Sequence, residues 1–443
     1  MERANPRTVS VRSMAWVDGL ALVLAAPILW FPSLRPGLVP WALLLIVAVW
    51  VLDRLLGGKI WPASVYNPAL FVLLAMAAIG AWRSWVPALT LPKVTALFLG
   101  LALWRAISRW VEDECGLWLV VLAVLLLALG FALVGITNGL RATKAPTLAA
   151  ILEQMPRWVQ DLPEAERGRA SANQLGGVLL LVVPLALGAA LAPWDRPGLF
   201  AGAFNGLGRL LAAILAVLLG AALLLTQSRG AWVGLAVGLV ALVALRWPWG
   251  RWVLLVATMA GMVFYLFWGQ DLLAPHVVAA VNDTGGLRTS VGTLTLTGRI
   301  QIWARAWDYI IETPLFGAGL GTFRARYAGY TGGYWGGVVF DMGTPHAHNV
   351  LIQMAYDVGL VGLAAYLALV GLAICDGLRL CRQGRGFGAS LAAGIVAALV
   401  GYHVYGLTDV VALGAKPGVL FWAVLALIEA VQRVHGIQHA PST

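Results

Sequence analysis

Runs of about twenty apolar residues recur along almost the whole of this 443-residue chain, and that repetition decides which solvent it folds in. Within a bilayer no water reaches the backbone. Each N–H and C=O must then be satisfied inside its own segment, so the runs read as transmembrane helices. Composition agrees: hydrophobic types make up 60% and charged types 11%, whereas a soluble domain carries about 25% charged residues. The sequence therefore predicts an all-α polytopic membrane protein.

The apolar pattern places spans at 15–31, 36–56, 66–86, 91–108, 116–138, 174–193, 202–226, 230–247, 251–269, 347–375, 387–408 and 416–434, about twelve transmembrane helices. The basic segment Met1–Met14, with Arg3, Arg7 and Arg12, reads as the flank of an uncleaved first helix, because no small-residue cleavage site follows. If the helices alternate, Arg3/Arg7/Arg12, Arg54/Lys59, Arg105/Arg109, Arg246/Arg251 and Arg379/Arg382/Arg385 fall on one side. The positive-inside rule makes that side the cytoplasm, with both termini there. Trp16, Trp30, Trp41, Trp61, Trp82, Trp110, Trp194, Trp247 and Trp249 lie near span ends, as an interfacial belt requires. The formal charge of +10 suits anionic lipid head groups, and no nucleic-acid partner is expected. Cys115, Cys375 and Cys381 sit at or near the cytoplasmic face and form neither a disulfide framework nor a metal pattern.

Three regions follow: 1–269 with nine helices and a periplasmic loop at 139–173, a large periplasmic loop at 270–346, and 347–443 with three more helices and a short cytoplasmic tail. In the large loop, Gly298–Ile311 has helical periodicity, with Ile300, Trp303, Trp307 and Ile310/Ile311 on one face, as in a helix lying on the bilayer surface. Pro314 ends it, and the run Gly317–Gly337 is expected to lack regular structure. Thr147–Val159 is a second short interfacial helix, and the turn-rich stretch Asn282–Gly286 is a loop. No internal repeat of the transporter kind is evident.

Charges at a membrane boundary need a reason. Arg229, in Thr226-Gln227-Ser228-Arg229-Gly230, either snorkels or offers its planar fork to an anion, and Arg299 after Thr297-Gly298 poses the same choice. His348, in Thr344-Pro345-His346-Ala347-His348-Asn349, is either a capped polar residue or a base with a pKa near working pH. Two histidines one residue apart suggest a metal, but Asp341 is the only close carboxylate, so no metal site is expected. His403, Thr408 and Asp409 either line the same cavity or only cap a helix. Glu112-Asp113-Glu114 lacks the form of a nucleotide-sugar site, and no Walker loop or dinucleotide fingerprint occurs, so no cofactor is expected.

From about Thr226 to Gly362 the chain resembles the O-antigen ligase/polymerase and O-oligosaccharyltransferase superfamily. Ser228-Arg229-Gly230, then Thr297-Gly298-Arg299-x-x-x-Trp303 with Pro314–Gly321, and His348-Asn349 carry the resemblance. The last is the most specific. His348-Asn349, nine residues, Gly359, two residues and Gly362 fit the ligase pattern throughout. Asn173 resembles the family's Asn-rich start of a span.

The resemblance implies a GT-C-like inner-membrane enzyme with a periplasmic active site. It would transfer a polysaccharide from undecaprenyl diphosphate to a sugar hydroxyl of lipid A–core, without metal and with inversion. It also implies His348 as general base and Arg229 and Arg299 at the diphosphate, with His346, Asn349, Ser228, Arg305 and Asn173 as weaker substrate contacts. A polymerase or a protein O-oligosaccharyltransferase would use the same donor with another acceptor. The chain's stop soon after the last span favours the ligase. Arg141, Lys144, Arg157, Arg167, Arg169, Arg324 and Arg326 would suit a phosphorylated acceptor, or equally lipid head groups. A transporter or flippase is the reading from another class, and it would place paired charges at the midplane.

Overall fold

A computed structural model describes residues 6–32, 34–139, 172–192, 201–264, 296–330, 334–335, 338–339, 345–384, 386–411 and 413–435. Among them twelve apolar helices fall where the hydropathy places spans: α1 Pro6–Trp30, α2 Val39–Leu55, α3 Asn67–Trp82, α4 Pro87–Trp110, α5 Glu114–Gly139, α6 Ala172–Ala190, α7 Ala201–Leu225, α8 Arg229–Arg246 and α9 Gly250–Phe264 come first. Helices α10 (Leu296–Glu312) and α11 (Phe323–Tyr330) then lie outside the apolar set, followed by α12 Val350–Gln383, α13 Phe387–Gly406 and α14 Val419–Val434. Nine of the described helices are long and apolar enough to cross a bilayer, and three shorter apolar ones complete the twelve. Proline at the first turn of α2, α3 and α4 starts those helices without losing a bonded N–H.

Small residues set how closely the helices pack. A Cβ added at Gly234 of α8 would stand 2.6 Å from the Gly401 carbonyl of α13, and one at Gly188 of α6 would stand 2.9 Å from Gly394 of α13. With no hydrophobic drive between helices in lipid, such close backbone contact supplies the packing. Helix α13 is therefore held between α6, α8 and α12 as the buried centre of the bundle.

Two expectations are corrected. Arg105 is not a head-group anchor: fully buried, it donates to Asp18, to Asp53 at 2.8 Å and to the Ile60 carbonyl at 2.6 Å. The bilayer exacts several kcal/mol for an unpaired charge, so internal partners outcompete lipid phosphate. The glycine-rich run also has structure. Phe323–Tyr330 is helical, and Tyr334–Trp335 pairs antiparallel with Val338–Val339. Arginine and alanine inside the run favour a helix once the glycines on either side are used for turns.

The helix across 298–311 forms with a rotated buried face. Ile302, Ala306, Tyr309 and Ile310 pack inward, while Trp307 and Ile311 are exposed. Its outer apolar stripe suits a bilayer surface, and its inner one packs on the start of α12. Thr147–Val159, Asn282–Gly286, Asp341 and the basic residues Arg141, Lys144, Arg157, Arg167 and Arg169 lie outside the described residues.

Candidate functional site

Alternation of the apolar helices brings the starts of α4, α6, α8 and α12 to the end of the bundle where α3, α7 and α13 finish. The site is built there around a broken helix. At Gly359 the backbone of α12 turns non-helical, with φ 73° and ψ 177°. The carbonyls that this break releases are bonded by the loop after α10: Ala318 N–H donates to Tyr356 O at 2.7 Å and Gly319 N–H to Asp357 O at 3.1 Å. Leu360 N–H donates in return to Pro314 O at 2.7 Å. Gly317, Gly319 and Gly321 all have positive φ, which lets this loop approach so closely. The nine residues between His348-Asn349 and Gly359 are thus the length of one short helical segment, fixed at its far end by the Pro314–Gly321 loop.

At its near end Asn349 caps the segment, accepting from Leu351 N–H at 3.0 Å and Ile352 N–H at 3.2 Å. Its amide also donates to Leu407 O at 3.2 Å, tying α12 to the end of α13. Gln353 accepts from Ala347 N–H at 2.7 Å and so holds the histidine turn from within. His348 sits in that turn with φ 50°, and Gln227 with φ 51° is its counterpart before α8. These are the two non-glycine residues with positive φ among the described residues. Each conformation costs about 1–3 kcal/mol, and such strain concentrates at functional sites.

His346, His348 and Asp409 converge and are buried. His348 Nδ1 stands 3.3 Å and His346 Nε2 3.7 Å from the same Asp409 oxygen, and the two rings are 4.3 Å apart. His348 Nδ1 therefore faces Asp409, while Nε2 is buried with no partner among the described residues. Asp409 is itself fixed: Asn173 donates to its Oδ2 at 2.7 Å and Val410 N–H to its Oδ1 at 2.8 Å. Tyr405 OH holds the Asn173 carbonyl at 2.8 Å. Burial, with the neighbouring His348 next, pushes His346 down to about 3, so it is a neutral imidazole. Burial would raise the Asp409 carboxyl, but the facing histidines outweigh it and hold the group at about 2.

The donor atoms of His346, His348 and Asp409 lie within 4.8 Å of one another and could hold a divalent cation. The expectation of no metal rested on the lack of a third ligand nearby in sequence, and the fold supplies one from sixty residues away. The other residues divide. Ser228 caps α8, accepting from Ala231 N–H at 3.4 Å, and leaves Arg229 exposed at the helix start. Gly230 lies against Thr408 and Tyr405, which brings this turn beside the loop that carries Asp409. Arg299 acts electrostatically on Tyr405, as Lys93 and Arg324 do on His346. Burial lowers Arg324. Arg305 instead pairs with Asp308 at 3.0 Å on the outer side of α10, and His403 with Tyr366 at 2.8 Å inside the bundle.

Sequence reasoning named Asp409 without pairing it to His348, and passed over Gln227 and Lys93. A lone aspartate ending an apolar helix was the available signal for the first; nothing in the pattern marks the others. No curated protein matches the chain. Residues 214–367, from within α7 past Gly359, match the family model described as O-antigen ligase.

Proposed function

We propose that the protein transfers a glycan from undecaprenyl diphosphate to a sugar hydroxyl of lipid A–core, without a metal, at the periplasmic face of the bacterial inner membrane. The orientation rests on the basic loops Arg54/Lys59, Arg246/Arg251 and Arg379/Arg382 at the end opposite the site. The observation that carries the reading is His348, a buried imidazole whose Nδ1 faces an ionised Asp409 and whose Nε2, unpartnered among the described residues, is left free for a substrate proton. His348 takes the proton of the acceptor hydroxyl as its oxygen attacks the anomeric carbon. Asp409 holds the ring and stabilises the imidazolium that forms. The bond to the diphosphate breaks on the opposite face, so the anomeric centre inverts. The diphosphate leaves with its charge met by Arg229 and Arg299. Diphosphate is already a good leaving group, so positioning, a base and cationic stabilisation suffice.

The test is transfer by purified protein in detergent, with lipid-linked glycan, lipid A–core and EDTA, beside His348→Ala. A lipopolysaccharide ladder from the wild type alone supports ligation and the base. Growth of the lipid-linked glycan with lipid A–core untouched would make the protein a polymerase, and no reaction from folded protein would favour transport.

A further inference from the structure

The inner face of α10 carries more than the Arg299 already assigned. Arg299, Ile302, Trp303 and Ala306 fall within one arc of the helix, at i, i+3, i+4 and i+7. Ile302 and Ala306 are fully buried and cluster with Ala347, the residue between the two site histidines. That contact fixes the arc against the histidine turn. On it, Arg299 Nε and Trp303 Nε1 are both buried N–H donors without a hydrogen-bond partner. Trp307, one turn further, shows what a bilayer-facing tryptophan looks like here: it is 54% exposed. Trp303 is half-buried instead, and its buried indole N–H has no acceptor among the described residues.

Leaving such a donor unpaired lowers stability, and a second one on the same arc strengthens the case for an acceptor-rich occupant. Neither donor can accept, so the occupant must present oxygens rather than N–H groups. A sugar hydroxyl could answer one of them. Two donors one helical turn apart, one of them a guanidinium, fit an anion with several oxygens spread over a few ångströms.

We propose that Trp303 is a donor-substrate-binding residue whose indole N–H donates to an oxygen of the diphosphate that Arg299 meets one turn earlier. The inference rests on the donor reading above and adds a residue to it. Trp303 contributes binding and orientation of the leaving group, not proton transfer.

The test uses full-length protein in detergent and farnesyl diphosphate as the probe, with binding measured by titration calorimetry. Trp303→Phe keeps an aromatic ring and removes the donor. Replacement of Trp303 by 3-benzothienylalanine keeps the ring shape and puts sulfur where the N–H was, which covers the case in which the phenylalanine variant folds poorly. Both should bind farnesyl diphosphate roughly tenfold more weakly, the loss expected for one hydrogen bond to a charged acceptor. Their thermal unfolding and their affinity for farnesol should match the wild type. Equal weakening for farnesol would make Trp303 a wall for the isoprenyl chain and overturn the proposal. Wild-type affinity in the benzothienyl variant would overturn it as well, with the donor reading intact. Failure of the wild type itself to bind farnesyl diphosphate would remove the donor reading and the role of Trp303 together.

Discussion

Gly359→Ala is expected to disable the protein through a residue that touches no substrate. The backbone there has φ 73° and ψ 177°, a region that side chains other than hydrogen occupy at a cost of about 1–3 kcal/mol. The added Cβ would also lie 2.7 Å from Phe316 N and closer still to the Leu315 carbonyl, and these are backbone atoms that no rotamer change can move aside. Relief requires the 314–319 loop to back away. It would give up the three bonds Ala318–Tyr356, Gly319–Asp357 and Leu360–Pro314. At about 1 kcal/mol each, their loss with the strain comes to roughly 4–6 kcal/mol.

The segment 350–358 would then be anchored only at its capped start, and His348, which that start carries, would lose its position against Asp409. Misplacement by about 1 Å costs on the order of a hundredfold in rate. Transfer assays should accordingly show a loss of that order, with a clear fall in unfolding temperature in detergent. Gly371→Ala is the control on the same helix. An added Cβ meets nothing within 4 Å there, and alanine in a helix is favoured over glycine by about 1 kcal/mol. If Gly359→Ala is as active and stable as the wild type, or if Gly371→Ala is equally damaged, the broken-helix account is wrong.

Asp409→Asn should lower kcat by about a hundredfold or more with a smaller change in KM, because the imidazolium loses its counter-charge; an unchanged kcat would remove Asp409 from the mechanism. Transfer should survive EDTA, whereas micromolar Zn²⁺ should inhibit by occupying His346, His348 and Asp409; stimulation by the metal would reverse the assignment. His346 titrates near 6.5 unfolded and at about 3 folded, so the unfolded chain binds the extra proton between those values. Stability should therefore fall with pH below about 6.5, by about 1.4 kcal/mol per pH unit, and His346→Asn should flatten that slope in thermal unfolding measured between pH 7 and 5. Arg229→Lys should keep more activity than Arg229→Ala in the transfer assay, since charge is retained while the bidentate fork is lost; equal activity of both variants would argue that Arg229 meets no anion.

The spans were legible because lipid makes a helix of every long apolar run, and the resemblance picked out His348, Arg229 and Arg299. What sequence could not give is partnership. Asn173 and Asp409 are separated by 236 residues, yet they share a hydrogen bond beside His348. Periodicity along α10 marked its apolar residues but could not say which of two stripes meets the protein. Trp307 was assigned to the same face as Trp303, and packing of Ile302 and Ala306 turned the two apart. The Gly317–Gly321 stretch read as flexible because glycine density alone suggests freedom. Its glycines instead permit left-handed turns that bond a broken helix, a demand visible only once α12 is seen to stop at Gly359.

The buried Arg105 and the donors at the site end differ in what holds them, and the contrast bears on where substrate binds. Arg105, at the end away from the site, has each of its side-chain nitrogens bonded, to Ile60 O, Asp18, Asp53 and Lys59 O. Its charge is already met by two carboxylates, and removing a partner there would strand a charge in an apolar interior, a cost of about 3–5 kcal/mol. At the site end, Arg299 Nε, Trp303 Nε1 and His348 Nε2 are buried and unbonded among the described residues. The chain had acids available to pair with them, as the far end demonstrates. Arg109 Nε and Arg246 Nε at the far end are unbonded too, but among the described residues the strained backbone at Gln227 and His348 lies at the site end. Unpaired donors and strained turns each lower stability, so their coincidence with Asp409 and Arg229 needs a compensating gain. An oxygen-rich anionic substrate that fills the site supplies that gain, and it does so only when bound.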